Sequence, residues 1–142
     1  MGPEFWIWAV GNLVMPAIPV ACVLFAQLTA GKSPTVESVL EDGVLFFYAV
    51  ATSAILIMDV WKDRLGEQPK IDAMSATAYI SFGLVFLIFA SGAYFVTALA
   101  HTGRLDGEGH PFNMRHLAHL SWQSATAMTI LSLIARLRSR LY

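Results

Sequence analysis

A single cysteine, Cys22, stands in 142 residues, so the chain can close no disulfide on itself and can build no cysteine-rich metal site. Cys22 lies in an apolar run, where a free thiol behaves as a small hydrophobe. Charge is scarce as well. Asp, Glu, Lys and Arg make up 13% of the residues, against about 25% in an ordinary soluble domain. The formal net charge of −1 offers no basic face, which argues against nucleic acid as a partner. Several catalytic signatures are missing too. There is no nucleophile elbow, no CxxC, no phosphate-binding glycine loop and no HExxH. These absences favour a non-enzymatic role over an enzymatic one.

What the chain has instead is hydrophobicity: 56% apolar residues and a mean hydropathy of +0.60. Both values point to membrane residence. A bilayer-crossing helix needs about 20 mostly apolar residues, and four segments meet that length, at about 5–28, 44–61, 73–100 and 117–137. The first run lacks a basic lead, carries Glu4 and is too long for a signal sequence, so it reads as a span. The connectors GKSPTVESVLEDG, KDRLGEQPKID and HTGRLDGEGHPF each carry glycine, proline or clustered charge, the marks of turns. Ser33-Pro34 is a helix-start signal, and Glu37 and Glu41 follow at helical spacing, so a short interfacial helix is expected at about 34–42. The fold class expected is an all-α integral membrane protein: one domain, 1–142, of four transmembrane helices in an up-down-up-down bundle.

Four spans put both termini and the second connector on one side. That side holds Lys62, Arg64, Lys70, Arg136, Arg138 and Arg140, while Lys32, Arg104 and Arg115 fall on the other. The positive-inside rule then makes both termini cytoplasmic, in a bacterial plasma membrane if the source is bacterial. Trp6, Trp8 and Trp61 mark the inner boundary, and Tyr48, Tyr94 and Trp122 the outer one.

Polar and helix-breaking residues inside the spans are the candidate functional positions. Pro16 and Pro19 each remove a backbone donor, which leaves the first span broken or kinked, with Asn12 one turn from Pro16. Asp59 lies near the inner end of the second span, as an inner-mouth carboxylate or as a partner of Lys62 three residues on. In the third span Ala76, Gly83, Ala90 and Thr97 recur every seven residues. Such a small-residue stripe lets helices approach closely in lipid. In the fourth, His116, His119, Gln123 and Thr126 share an arc of about 80° at 100° per residue.

The histidines leave three readings open. His101, His116 and His119, with Glu41 of the first connector, have the chemistry to hold a metal ion, and histidines on facing helices suit haem. Imidazoles near neutrality also suit a pH-sensitive cluster, and they serve equally as interfacial or capping groups. The cofactor is accordingly unknown, with a metal ion or haem as the candidates. The leading function is a small oligomeric membrane protein, a candidate pore, channel or small-solute conduit lined by the fourth span. A metal- or haem-binding redox protein is the alternative, and an accessory subunit of a larger membrane complex the third. The partners implied are the lipid bilayer and a homo-oligomeric or complex partner.

Overall fold

The apolar runs are helical throughout the computed structural model, which describes residues 3–31, 33, 35, 43–101 and 114–139. No strand occurs among them. The expected interfacial helix at 34–42 falls almost wholly outside the described residues, as do Glu41, His110 and the side chain of His101.

The first rod is built from α1 (Pro3–Ala9), a π-helical turn (Val10–Val14), a 3-10 turn (Met15–Ala17) and α2 (Ile18–Thr29). The changes of helix type follow from the prolines. Pro16 and Pro19 cannot donate to the carbonyls four residues back. The ladder loosens before Pro16, where the Met15 N–H reaches the Val10 carbonyl, and then tightens, where the Ile18 N–H takes the Met15 carbonyl. Pro19 falls in the first turn of α2, where no donor is needed. Asn12 Nδ2 donates to the Trp8 carbonyl at 2.8 Å, a side-chain bond within the disturbed stretch.

Three further helices follow: α3 (Val44–Leu65), α4 (Ala73–His101) and α5 (Met114–Ser139). Gly43 starts α3 at φ 69°, a left-handed conformation that suits glycine. Phe46 N–H bonds back to its carbonyl at 2.9 Å. Between α3 and α4 the chain is tied to Asp63, whose carboxylate accepts the Lys70 N–H at 3.0 Å and the Ile71 N–H at 2.9 Å. Arg64 Nη1 donates to the Ile71 carbonyl at 3.2 Å, and Ile71 is buried. Asp72 then caps α4, accepting the Ser75 N–H at 2.9 Å. The Ser75 side chain and N–H hold the Asp72 carboxyl below its ordinary range.

Helix α3 is the centre of the molecule, packed on both α4 and α5, while α4 and α5 touch each other less. Its neighbours take opposite directions. Gly43 meets Thr97 and Ile57 meets Gly83, so α3 and α4 run antiparallel. Tyr48 meets Thr129 and Asp59 meets Arg136, so α3 and α5 run parallel. The buried positions explain this packing. On α3, Phe46, Ala49, Ser53, Leu56 and Val60 alternate in steps of three and four. Ala76, Tyr79, Gly83, Ala90 and Thr97 lie on the same kind of repeat on α4 and are all buried. A 3.5-residue period keeps one seam facing the partner through a left-handed crossing. The close approach is visible at Gly83, where an added Cβ would lie 2.8 Å from Ile57 Cγ1.

Among the described residues, three helices are long and apolar enough to cross a membrane: Phe5–Thr29 with 25 residues, Val44–Leu65 with 22 and Ala73–Leu99 with 27. Helix α5, expected as a fourth span, is not among them. Its histidines, glutamine and run of hydroxyl residues lower its hydropathy. The described residues thus hold helices and no strand, with apolar segments compatible with a small membrane protein.

Candidate functional site

The two sides of α5 differ in chemistry and in surroundings. One side carries Ala118, Ser121, Ala125, Met128, Ser132 and Ala135, again in steps of three and four, and every one is buried. The other carries His116, His119 and Gln123, all exposed, then the half-buried Thr126, then the exposed Ile130 and Ile134. The packed side is small rather than markedly apolar. The outward side is polar over its first turns and apolar beyond.

Three hydroxyls on the packed sides bond to their own helices. Ser121 Oγ donates to the Ala118 carbonyl at 2.8 Å, Ser53 Oγ to the Ala49 carbonyl at 2.7 Å, and Thr97 Oγ1 to the Ala93 carbonyl at 2.8 Å. Such back-bonding lets a polar side chain sit in an apolar seam without a partner from another helix. The seam therefore offers few free groups to a passing solute. One hydroxyl contact does cross between helices: Thr129 donates to the Ala125 carbonyl at 2.8 Å and lies 3.2 Å from the Tyr48 phenol.

A charged cluster joins three elements at the other end of α5. Arg136 Nη2 forms an ion pair with Asp59 Oδ2 of α3, with the two side chains 11% and 22% exposed. The Arg136 guanidinium lies over the Trp8 ring of α1, 4.7 Å from its centroid, a cation–π geometry. Trp8 in turn packs on Phe5 at 5.9 Å between centroids. Trp8 Nε1 and Arg136 Nε are buried without a hydrogen-bond partner. Asp59 thus meets a charge on another helix, 77 residues away in sequence, and not only the nearby Lys62 considered from the sequence. Neither Arg136 as its partner nor Trp8 beneath the pair emerges from local patterns. The available signal is one acid and one base at corresponding ends of two helices that run parallel.

A groove of about 520 Å³ opens between the first rod and the bundle. Ala17, Val20 and Ala21 of the rod form one wall, and Ala125, Thr126 and Thr129 of α5 another. Tyr48 and Trp122 also line it. Pro16 and Pro19 stand where the rod changes from π to 3-10 to α-helix beside it.

The proposed metal ligands are not brought together by the described residues. His116 and His119 are exposed on α5, and no group of three histidine, cysteine, aspartate or glutamate residues suited to a metal occurs among the described residues. The side chains of His101 and Glu41 lie outside that set. Compared with protein-family models, characterised proteins and solved structures, the chain finds no match.

Proposed function

We propose that the chain is a small integral membrane protein that crosses the bilayer four times, with α5 as the fourth span, and assembles with copies of itself through the outward polar side of α5. The observation that carries this reading is the contrast on α5: a packed side of small residues, and an exposed side holding His116, His119 and Gln123. Polar groups turned toward hydrocarbon are costly unless they meet water or one another. Imidazole and carboxamide each both donate and accept hydrogen bonds, so two copies of this stripe complement each other across a symmetric contact. Ser53, Thr97 and Ser121 inside the bundle already bond to their own helices, so a conduit for a small solute fits best between copies, with His116, His119 and Gln123 along its wall.

The basic residues concentrated at the end shared by Lys62, Arg64 and Arg136 support a cytoplasmic position for both termini. The Ala76–Thr97 side of α4 is covered by α3 of the same chain, which removes that stripe as the surface for a partner.

Cysteine substitutions at 116–130, made on a Cys22→Ala background in native membranes, test this reading. Oxidative cross-links between copies at 116, 119 and 123, and none at 118, 121 and 125, are expected. A conduit adds labelling of 119 and 123 by water-soluble thiol reagents. Cross-linking to a different protein alone assigns the surface to a larger complex and contradicts self-assembly.

A further inference from the structure

The two halves of the first rod meet the bundle differently: α1 buries aromatic side chains, and α2 touches α3 without burying a residue. Phe5 and Trp8 are buried, and Trp8 lies beneath Arg136 at 4.7 Å. No residue of Ile18–Thr29 is buried. Between the two halves the hydrogen-bond register changes twice within eight residues: a five-residue step from Met15 N–H to Val10, then a three-residue step from Ile18 N–H to Met15. Adjacent π and 3-10 turns are places where a helix exchanges one set of bonds for another at little cost. Pro16 and Pro19 remove the donors that would lock a continuous α-helical ladder. Gly11 has open space around the position of a Cβ, while Pro16 is buried and its turn touches α3, which leaves a pivot on the bundle.

The groove lies beside the α2 half. Ala17 and Ala21 of the rod and Ala125 and Thr126 of α5 line it beside larger residues such as Leu24 and Trp122. Small residues on both sides permit the close helix approach that drives association in lipid. We infer that Val10–Ala17 is a hinge, and that the α2 half of the first rod moves between the position in the structure, where it touches α3 and the groove is open, and a closed one in which it fills the groove against α3 and α5. The α1 half stays anchored by Trp8 on Arg136 during this motion. The device does not depend on how copies of the chain associate.

Cys22 is exposed on the moving half and is the chain's single cysteine, which makes it a ready label site. A second label at Ser91→Cys, on an exposed position of α4, gives a distance by pulsed electron paramagnetic resonance in lipid nanodiscs. Excess unlabelled protein removes distances between copies. Two Cys22–Ser91→Cys populations are expected. Val20→Phe, which puts a ring into the groove, should remove the closed population, and Pro16→Ala/Pro19→Ala should leave one population by restoring a continuous helix. A single narrow distance in the otherwise unaltered chain overturns the hinge. So do two populations that neither variant changes. If the proline variant does not fold, the parent chain and Val20→Phe still decide the matter.

Discussion

Asp59 of α3 and Arg136 of α5 form an ion pair between two parallel helices, and the Trp8 ring of α1 closes over the arginine. Three elements distant in sequence are thereby joined at one end of the molecule. Removing one partner leaves a largely buried charge alone, which costs on the order of 3 kcal/mol, the lower end of the range for buried pairs because Asp59 keeps 22% of its side-chain exposure. Asp59→Ala and Arg136→Ala should each lower unfolding stability in detergent by about that amount. The double substitution should cost clearly less than the sum of the two. Additive losses would show that the pair contributes no coupling.

Gly83 and Gly92 make a matched pair on α4. A Cβ at Gly83 would lie 2.8 Å from Ile57 Cγ1, and one at Gly92 would meet nothing within 4 Å. Gly83→Ala should destabilise by about 1–3 kcal/mol through overpacking, with partial recovery in Gly83→Ala/Ile57→Val. Gly92→Ala should be neutral or slightly stabilising, since it replaces a poor helix former by a good one in open space. Thermal unfolding of the purified variants distinguishes the two positions.

Gly43 combines two constraints that a second substitution separates. Its φ of 69° disfavours any side chain, and its Cβ position lies 2.9 Å from Thr97 Cγ2. Gly43→Ala should cost about 1–2 kcal/mol from the backbone alone, plus the clash. Adding Thr97→Ala should relieve the clash and leave the backbone part. Full recovery in the double variant would show that the left-handed turn carries no strain.

Asp72 gives a pH dependence with a defined sign. Hydrogen bonding to Ser75 holds its carboxyl below the ordinary value, so the folded state favours the ionised form. The cap's contribution is present above the ordinary aspartate range near pH 3.9 and is lost as pH falls through the lower folded value. A carbon-detected NMR titration should place the Asp72 midpoint below that of a free aspartate. Asp72→Asn should keep the cap and lose the dependence, because asparagine caps as well as aspartate. Asp72→Ala should fray the start of α4 at every pH.

Helix positions are legible in the sequence because apolar runs and their glycine, proline and charged punctuation are local signals. The start of α3 at Val44 and that of α4 at Ala73 fall where those signals put them, and α3 continues to Leu65 because Lys62 and Arg64 prolong it beyond the apolar run. Contacts between helices are much less legible. The polar arc from His116 to Thr126 is visible by periodicity, yet polarity alone does not say whether it faces in or out. In a bilayer the packed side of a helix is recognised by small size, since the surroundings are as apolar as the core. Ala118, Ser121, Ala125, Ser132 and Ala135 carry that signal on α5, weaker to the eye than two histidines and a glutamine. The pairing of Asp59 with Arg136 needs the parallel course of α3 and α5, which only the assembled fold provides.

The central claim, that the outward polar side of α5 meets a second copy of the chain, is tested most directly by the mass of the purified protein in lipid nanodiscs and mild detergent. The expected mass is a multiple of the 15.6 kDa chain that falls to a single chain in His119→Leu/Gln123→Leu, with helicity unchanged. A single-chain mass for the parent protein, or an assembly indifferent to both substitutions, would contradict it.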